Sequence, residues 1–443
     1  MRNLLTSLLL LATLGTALAQ DDIYNLRECI ALAVDNNISV QQSLLDIKQA
    51  EIERSDALGV FVPRLNGNAS YSVNTGASIN PVTNEFQNQR FASFTAGVGA
   101  GLTLFDGLRN FKGLQRAKLS QLAAQYRNEK LVDDIALAVA NGYLQVLFNK
   151  ENVKVLVEQH NLTQGQIDQT QALVDAGVAP RGDLLELRAT YAQEETQIIN
   201  AQNAVLISKI SLAQLLNLEN YETFDIAQDD YELPPSDILN QGVGTIIDAA
   251  REGRFEIKIA EQNTLLAEKD YEIARGGYLP TLSAFAQYNT RYADNDFFNR
   301  DFTEQLYQND GTAYGFQLQI PFLNGFATRN SVRRSRINIE NNKLAAEQAE
   351  LDLESNVYQA YNDALGSKAA YEASLVAVEA REQAFSFAQD RFDVGMMNSF
   401  DFTQAQVQLT NAQTTLLQNK YDYIFKLKTL ELLSGVPVEQ IKL

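Results

Sequence analysis

Two stretches of the chain, Gly107 to Asp175 and Gly325 to Val394, each run for nearly seventy residues without a proline. Proline interrupts a helix because it lacks a backbone N–H and clashes with the preceding turn, so its absence permits one continuous helix in each stretch. At a rise of about 1.5 Å per residue, each helix would extend roughly 100 Å, far beyond an ordinary globular helix. We therefore expect one elongated unit of long packed helices, although 443 residues would usually form two or three domains.

Apolar residues mark one face of the second stretch. They mostly recur at steps of three and four, or of seven where a polar residue intervenes, as in coiled coils. The predicted contact positions are Ala346, Ala349, Leu353, Val357, Ala360, Ala364, Tyr371, Leu375, Val378, Phe385, Ala388 and Phe392. The other faces are rich in Gln, Asn, Glu and Asp and can meet water, as in a coiled coil or a hollow helical tube. Two shorter helices, Leu184 to Leu218 and Phe402 to Leu433, are predicted to fold back beside the long ones.

The chain is predicted to contain an internal duplication, because landmark residues recur at a near-constant offset of about half the chain. Three pairs share the same offset: Tyr143 and Tyr361, Gly177 and Gly395, and Asp183 and Asp401. The offset between Pro63 and Pro280 is shorter by one, which places one spare residue in the second half. The predicted organisation is a first structural repeat at 20–218, an acidic linker with Pro234-Pro235 at 219–245, and a second repeat at 246–443.

Alternating residues predict two strands in each half. From Phe94 to Leu104, alternate positions are apolar, and the positions between them are glycine or threonine. A strand of about eleven residues is long enough to cross a bilayer when tilted. Tyr314 to Phe322 alternates in the same way, and Leu65 to Val73 and Thr281 to Tyr288 do so more weakly.

Four strands cannot close a barrel by themselves, and an open sheet edge in hydrocarbon would leave backbone groups without hydrogen-bond partners. If the strands cross a membrane, several copies of the chain must therefore supply strands to one barrel. The alternative is a small soluble sheet with one face in water, because membrane-strand signals are weak individually. The polar loops between paired strands, Asn74 to Arg90 and Arg291 to Gly311, are expected to form exposed tips.

Targeting and charge limit the class of protein. Residues 1–19 predict a cleavable secretory signal, with Arg2 before a short leucine-rich core and a small-residue ending at Ala19. No later segment approaches eighteen uninterrupted apolar residues, so we expect no further membrane-spanning helix. The net charge of −19 argues against nucleic acid as a partner. Cys29 is the only cysteine, so it cannot form an internal disulfide, and we expect it to be a small buried apolar residue.

Few residues could support catalysis or metal binding. His160 is the only histidine, and it stands inside a predicted coiled-coil helix, where a position on the contact face or in solvent is expected. One Cys and one His cannot build the usual zinc sites. The glycines of GVGAGL alternate within a strand and lack the following helix of a dinucleotide fingerprint. We therefore predict no enzyme activity, no cofactor and no metal site.

The motif LRECIALAVDNN stands near the start of the first half, and two pairs of motifs occur in the same order in both halves: FVP and YLP before the first strands, and LTLFDGLRN and IPFLNGFATR at the ends of the second strands. With these motifs the chain resembles the TolC family, the outer-membrane channel proteins of bacterial efflux pumps and type I secretion systems. The single motif is similar to the first amphipathic helix of that family, the first pair to its strand entries, and the second pair to its strand-to-helix corners.

The resemblance implies a mainly α protein with membrane β structure. In this family three copies form a homotrimer, in which each chain gives four strands to a twelve-stranded β-barrel. Long antiparallel coiled-coil helices form a trimeric α-helical tunnel below the barrel. The N-terminal segment, the linker at 219–245 and the C-terminus are expected to form a mixed equatorial region.

The resemblance also implies a location and partners. It places the protein in the bacterial outer membrane, extending into the periplasm, as a passive exit duct surrounded by outer-membrane lipid. The expected protein partners are a periplasmic adaptor (membrane fusion) protein and an inner-membrane transporter, which is a proton-driven pump or an ABC transporter. The alternative function is a secreted structural or adhesive coiled-coil protein with soluble sheets.

By position, the resemblance implies a gated aperture at the periplasmic tips of two helix hairpins. Gly177 and Gly395 fall at the tips, and Asp183 and Asp401 are expected to begin the returning helices, where an aspartate can cap a helix and suits its dipole. The aperture residues are expected to be Arg181, Asp183 and Glu186 on the first hairpin, and Phe392, Met396, Met397, Asp401 and Gln404 on the second. A ring of acidic residues from three copies would favour cations.

Two features depart from the family's pattern. Gln404 stands one turn after Asp401, where the family places a second acidic residue. Phe392 and Met397 stand where family members carry polar or basic gating partners. The clustering of Phe392, Met396 and Met397 therefore suggests a hypothesis of hydrophobic closure at this tip.

Overall fold

The computed structural model describes residues 22–79, 84–88, 90–221, 223–227, 236–294, 296 and 298–436. The predicted signal at 1–19 and the Pro234-Pro235 pair lie outside the described residues. The helices are α1 Leu26–Asn36, α2 Ile38–Gly59, α3 Arg109–Asp175, α4 Arg181–Leu215, α5 Val243–Gly253, α6 Phe255–Gly276, α7 Phe302–Gln308, α8 Ala327–Asp393 and α9 Ser399–Leu433. The strands are β1 Asp22–Tyr24, β2 Arg64–Asn74, β3 Ala77–Ile79, β4 Phe86–Asn88, β5 Phe91–Phe105, β6 Phe224–Ile226, β7 Thr281–Ala293 and β8 Gly311–Gln319.

Eight of these helices form four pairs of equal length, which confirms the internal two-fold repeat. The helices α1 and α5 have 11 residues each, α2 and α6 have 22, α3 and α8 have 67, and α4 and α9 have 35. In the first two pairs, the helix of the second half begins the same number of residues after its partner in the first half. In the last two pairs, this separation in sequence is one residue longer. The spare residue of the second half therefore lies between α6 and α8.

The chain divides into two compact units. The first unit consists of Met1–Leu44, Arg127–Ile257 and Gln348–Leu443, and the second of Leu45–Tyr126 and Lys258–Glu347. The first unit contains most of the long helices and a two-stranded parallel sheet, in which β1 pairs with β6 of the predicted linker. The second unit contains the four-stranded sheet and the β3-β4 hairpin.

The core of the first unit is built twice in the same way. In one cluster, Cys29 of α1 packs among residues of α3 that include Tyr143, and in the other, α5 packs on α8 with Tyr361 at the edge. The hydroxyl of Tyr143 donates to the carbonyl of Ala227 at 3.1 Å, and that of Tyr361 donates to the carbonyl of Leu239 at 3.3 Å. Burial raises the pKa of the Cys29 thiol to about 12, and the neighbouring Glu28 charge adds to the shift. Cys29 is thus buried as predicted.

Both long helices end in the same backbone motif, which explains the repeated break. Gly177 and Gly395 each have a φ of 73°, a left-handed conformation that costs other residues roughly 1–2 kcal/mol. After α3, the N–H of Val178 donates to the carbonyl of Leu173 at 2.8 Å, and the equivalent bond after α8 is also 2.8 Å. This pattern satisfies carbonyl groups that a helix end otherwise leaves unpaired. The two breaks predicted from the glycines are confirmed.

The strands β2, β5, β7 and β8 form one antiparallel sheet in that order, which confirms two strands in each half. The register places Val98 opposite Tyr288, Leu102 opposite Ala284, and Ala284 opposite Phe316. Directly opposed residues share a face of a sheet. Most apolar positions of the four strands therefore lie on one face, and most of the Asn, Ser, Gln and Gly positions lie on the other, together with Phe285.

The strand β8 begins and ends earlier than predicted, at Gly311 and Gln319. Pro321 follows shortly after it, and a proline cannot donate a hydrogen bond to a sheet ladder. Ile320 and Phe322 therefore lie beyond the strand, although the alternation of apolar residues continues through them.

The two predicted polar loops contain secondary structure. The first loop holds the β3-β4 hairpin and the second holds α7. The carboxylate of Asp301 accepts the N–H of Glu304 at 2.6 Å and so caps α7. The side chain of buried Gln305 donates to the carbonyl of Ala293 at 3.0 Å and accepts its N–H at 2.9 Å, which holds α7 against the end of β7. A helix of 7 residues is too short for its periodicity to show in the sequence.

The predicted contact face of α8 is largely buried, at Leu353, Val357, Ala364, Val378, Phe385 and Ala388. Leu375 is 43% exposed, so its assignment to this face is wrong. A second apolar series on α8 recurs at every seventh position and is exposed, at Ile337, Leu344, Leu351, Tyr358 and Leu365. The helix therefore has two apolar faces, and the described chain covers one of them.

Among the described residues, one helix is apolar and long enough to cross a membrane. It is α3, in which one apolar segment is long enough for a membrane span and about a third of that segment is buried. Polar residues interrupt this segment, so it is not an uninterrupted apolar run. Buried core helices have the same composition, and Val139, Tyr143 and Leu147 of α3 lie in the core cluster with α1.

A buried polar layer joins α3, α4 and α9. Glu194 of α4 is 4% exposed, and its Oε1 accepts from Gln159 Nε2 at 2.8 Å and from Thr163 Oγ1 at 3.0 Å. Gln406 of α9 donates to Thr163 Oγ1 at 3.0 Å and to the carbonyl of Gln159 at 3.2 Å. Hydrogen bonds therefore hold the three helices together at a level where a coiled coil usually has aliphatic side chains.

His160 lies at the edge of this layer. Its ring stacks on Tyr191 with centroids 3.9 Å apart, and its Nδ1 is 3.8 Å from Glu194 Oε2. Burial raises the pKa of Glu194 above its ordinary value, while hydrogen bonds from Thr163 and Gln159 and the charge of His160 act in the opposite direction. A carboxyl group with a raised folded-state pKa stabilises the fold at low pH, and that contribution is lost as pH rises through the folded-state pKa.

The substitution Glu194→Gln is expected to weaken the pH dependence of the hairpin formed by α3 and α4. The wild-type hairpin should lose stability as pH rises above about 4.3, the ordinary glutamate pKa, whereas glutamine has no proton to lose. Hydrogen exchange of the α3 and α4 amides, measured over a pH series and corrected for intrinsic rates, reports the difference. Glu195→Gln at the exposed neighbouring position is the control. Identical pH profiles for wild type and Glu194→Gln would contradict the prediction.

Candidate functional site

The turn between α8 and α9 closes the second hairpin on an aromatic cluster. Phe402 of α9 is 1% exposed, and its ring stacks on Phe392 with centroids 4.6 Å apart. Phe385 approaches the same ring at 5.4 Å, and Met397 packs against the cluster. An aromatic pair of this kind adds about 0.5–1.5 kcal/mol beyond the burial of its area. The second tip is therefore held by contacts within its own chain.

The three residues predicted to form a hydrophobic closure have different surroundings. Phe392 and Met397 are half-buried in the aromatic cluster, whereas Met396 is 71% exposed. Val394 and Phe400 are also exposed at this tip. The apolar surface that another molecule could contact here therefore belongs to Val394, Met396 and Phe400, of which the sequence predicts only Met396.

Asp401 lies in the first turn of α9 but does not begin the helix. The helix begins at Ser399, and Asn398 occupies the N-cap position. Asn398 Oδ1 accepts the N–H of Asp401 at 2.8 Å, and Asn398 Nδ2 donates to Asp401 Oδ2 at 3.0 Å. The cap is therefore asparagine, and the exposed carboxylate of Asp401 acts on the helix dipole. Gln404 is exposed one turn later, on the same side of the helix.

The first hairpin has a different tip. The helix α4 begins at Arg181 after a proline at the N-cap position, which makes no side-chain hydrogen bond. Asp183 occupies the third helical position and is half-buried, while Arg181 and Glu186 are exposed. The packing beneath them is aliphatic, with Ile167, Leu184 and Leu187 buried. Neither aspartate is therefore the helix cap that its position in the sequence suggests.

Four charged residues at the two tips are predicted to line the aperture: Arg181, Asp183, Glu186 and Asp401. None of them forms a salt bridge within the described part of the chain. One hydrogen bond links the hairpins near their tips, from Gln169 Nε2 of α3 to Asp393 Oδ1 of α8 at 3.3 Å. The tip charges are thus not neutralised by a neighbouring side chain of the same described chain.

The buried polar layer above the first tip is absent from the predictions made from the sequence, although its signal is present. Gln159, Thr163, Gln166 and Thr170 follow steps of four, three and four along α3, and all four are buried. That spacing is the spacing of a helix contact face. Polar residues that keep it predict a hydrogen-bonded contact with neighbouring helices.

The side chains at the two tips are suited to contact with another protein and to lining a passage for solutes. No group of three or more His, Cys, Asp or Glu that could hold a metal ion occurs among the residues that the structure describes. What the tips present is exposed apolar and charged side chains around tight turns.

Sequence comparison identifies relatives along almost the whole chain. A sequence model of the outer membrane efflux protein family matches the chain twice, over residues 29–218 and 246–436. The chain is 22% identical over 436 residues to the outer membrane protein TolC of Vibrio cholerae, with 97% of this chain and 94% of TolC covered. It is 23% identical over 383 residues to protein CyaE of Bordetella pertussis, with 86% of this chain and 77% of CyaE covered.

The fold is also similar to that of a solved outer membrane channel. The CmeC channel of Campylobacter jejuni superposes with a TM-score of 0.79 at 16% sequence identity, with 93% of this chain and 85% of CmeC covered. The two family matches together span most of both repeats. The protein is therefore an outer-membrane protein, and the chain belongs to the outer membrane efflux protein family, which is the family of the TolC channels.

Proposed function

We propose that the protein is the passive outer-membrane exit duct of a tripartite efflux or type I secretion system, assembled as a homotrimer and gated at its helix hairpin tips. One observation carries the proposal: a sheet with an apolar face along all four strands continues in sequence into two helices of 67 residues. Residues 20–218 and 246–443 are the two structural repeats of this duct, and residues 219–245 are the equatorial linker.

The edges of the sheet support assembly from several copies. Among the described residues, β2 pairs only with β5, and β8 pairs only with β7. In hydrocarbon, the unpaired backbone groups of two such edges would be costly, because no water is present to bind them. Pairing β8 of one copy with β2 of the next removes both edges. With three copies, the number that the resemblance implies, the strands close a twelve-stranded β-barrel with outer-membrane lipid on its apolar face.

The exposed apolar series on α8 supports contact between copies along the helices. A matching series of exposed residues with the same spacing of seven occurs on α2, at Ile38, Leu45 and Ile52. Helices that carry such series pack side by side and exclude water from the seam. In the proposed homotrimer, the long antiparallel helices of three copies then enclose the tunnel through the periplasm.

The hairpin tips suit docking to the rest of the pump. Val178 and Met396 occupy equivalent positions in the two repeats, each follows a hairpin glycine, and both are exposed. They give the two tips equivalent apolar contacts for a periplasmic adaptor (membrane fusion) protein. An inner-membrane transporter, either a proton-driven pump or an ABC transporter, supplies the energy through that adaptor in this proposal.

The proposed gate combines two layers at the tips, with Gly177 and Gly395 as the turning points. The apolar layer consists of exposed Met396, supported from within its own chain by Phe392 and Met397. The other layer of the proposed gate is a ring of polar and charged side chains. It consists of Asp401 with Gln404 on the second hairpin, and of Arg181, Asp183 and Glu186 on the first. Three copies would repeat each of these side chains around the aperture.

The first test of the assembly is fractionation of cells that produce the full chain. The protein should pellet with outer membranes and run as a trimer that converts to monomer when heated before electrophoresis. A chain that stays soluble after lysis would instead support a secreted structural or adhesive coiled-coil protein.

Met397→Ser is expected to raise the conductance of the purified channel in planar bilayers. Serine removes the thioether that packs against the Phe402 cluster, so the tip should open more readily. Met396→Ser is the companion variant, because it changes an exposed side chain and leaves the cluster intact. Unchanged conductance in both variants would argue against hydrophobic closure.

Asp401→Asn is expected to reduce the cation preference of the channel, because three negative charges leave the aperture. The cap should survive, since Asn398 accepts the backbone N–H of residue 401 and not its side chain. The reversal potential across a potassium chloride gradient measures the change. Asp183→Asn is the matched variant at the repeat-related position. A reversal potential that Asp401→Asn does not shift would place Asp401 outside the selective part of the pore.

A further inference from the structure

The corner where the two repeats of one chain meet contains two ion pairs. At this corner, β5 of the first repeat pairs with β7 of the second. Arg116 Nε of α3 donates to Asp270 Oδ1 of α6 at 2.6 Å, and Lys112 Nζ lies 2.9 Å from Glu272 Oε2. The ion pairs hold α3 and α6 together just beyond the ends of their strands.

Two glycines permit this close approach. A Cβ on Gly107 would lie 2.3 Å from the carbonyl oxygen of Gly276, and a Cβ on Gly276 would lie 2.7 Å from the carbonyl oxygen of Gly107. Both distances are far below the contact distance of about 3.5 Å for non-bonded heavy atoms. The contact itself therefore requires glycine at both positions.

The repeat places the same glycines at a second corner, where the described chain makes no such contact. Gly325 is the repeat-related counterpart of Gly107, and Gly59 is the counterpart of Gly276. A Cβ on Gly59 or on Gly325 would meet nothing within 4 Å, although the φ of 59° at Gly325 itself favours glycine. Gly59 ends α2 without a positive φ, so its own backbone gives no reason for glycine.

The repeat places the counterparts of one of these two ion pairs at that second corner. Arg116 corresponds to Arg334, and Asp270 corresponds to Glu53. Both Arg334 and Glu53 are exposed, and neither forms a salt bridge with another residue in the described ranges. The two charges form an ion pair within the chain at the first corner. At the second corner, the corresponding charges are present but have no ion-pair partner in the described ranges.

The unpaired edges of the sheet indicate where the partners of these glycines and charges lie. The helix α2 leads into β2, and α8 follows β8, and these strands are the two ends of the sheet. When β8 of one copy pairs with β2 of the next, the β5-β7 joint is repeated between copies, and α8 then lies beside α2 of the neighbouring copy.

We propose that Gly325 and Arg334 of one copy pack against Gly59 and Glu53 of the next copy and form the junction between subunits. This junction rests on the proposed homotrimer, and it names the contacts that align the neighbouring copies. The ion pair of the junction joins Arg334 to Glu53, and the two glycines allow the backbones of the corners to approach.

Charge complementarity around the junction extends beyond this pair. The start of α8 carries four exposed arginines in a chain of net charge −19: Arg329, Arg333, Arg334 and Arg336. The end of α2 carries three exposed acidic residues, Glu51, Glu53 and Asp56, and one exposed basic residue, Arg54. Opposite charges favour the antiparallel orientation in which the start of α8 meets the end of α2, and they disfavour contact between two copies of the same helix.

Chemical cross-linking tests the junction. Glu53→Cys and Arg334→Cys are combined in the full chain with Cys29→Ala, and membranes are treated with a short bismaleimide cross-linker. Denaturing electrophoresis should show covalent dimers and trimers, because each link joins two copies. Either cysteine variant alone should give only monomer under the same treatment.

The internal corner provides the matched control. Arg116→Cys with Asp270→Cys should link within one chain and give cross-linked monomer only. Absence of covalent oligomers from the Glu53 and Arg334 cysteine pair, while unlinked trimers persist in mild detergent, would overturn the junction and leave the homotrimer standing. Absence of trimers in every variant, including the chain with Cys29→Ala alone, would overturn the homotrimer and the junction together.

Charge reversal gives an independent measurement of the same pair. Glu53→Arg or Arg334→Glu should each lower the temperature at which trimers dissociate in detergent, because two like charges then meet. The double variant restores opposite charges and should recover most of the loss. Losses that add in the double variant would overturn the pairing of these two residues.

Discussion

Side-chain packing along α3 and α8 is the interaction on which the rest of the structure depends. Backbone hydrogen bonds alone stabilise an isolated helix only marginally in water, so a helix of 67 residues relies on neighbours that cover its apolar face. The chain supplies them twice, with α1 and α4 beside one long helix and α5 and α9 beside the other. Tyr143 and Tyr361 occupy equivalent places in this packing, and their hydroxyl groups bond to the segments that follow α4. The duplication is therefore conserved in the contacts as well as in the lengths of the helices.

The periodic parts of the fold were predictable because side chains on a helix or strand must follow the geometry of the backbone. The alternation from Phe94 to Leu104 locates β5, and the spacing from Leu353 to Ala388 locates the buried face of α8. The exposed series from Ile337 to Leu365 was missed for a physical reason. A helix with neighbours on two sides carries two apolar faces, and the sequence does not say which neighbour belongs to the same chain. The helix α7 was missed because its stability comes from buried Gln305, a contact with β7 that no local pattern reveals.

The position of the candidate site was predictable, but the environment of its side chains was not. Gly177 and Gly395 locate both hairpins because their left-handed backbone requires glycine. Met396 and Met397 are adjacent in sequence yet differ in exposure, since a turn has no period from which direction can be inferred. The capping role belongs to Asn398, one helical turn before Asp401, and an asparagine at that distance from a helical aspartate is itself a readable signal. The assignment of these residues to a gate stays a prediction.

The two hairpins have diverged in what holds them together, although their backbones end in the same way. The repeat-related positions of Gln159 and Glu194 are Ala377 and Ala412, and that of Thr163 is the exposed Arg381, so the buried polar layer is not repeated at the equivalent positions of the second hairpin. The aromatic residues Phe385 and Phe402 of the second hairpin occupy the positions that Ile167 and Leu184 hold in the first. Hydrogen bonds in a buried layer depend on protonation and on the geometry of every member, whereas apolar packing depends on shape and is insensitive to pH. A change in pH therefore acts through Glu194 on the polar layer, which joins the first hairpin to α9, and leaves the aromatic packing at the second tip unaltered. The symmetry of the fold therefore does not extend to the forces that stabilise its two tips, which are aliphatic packing at one and aromatic packing at the other.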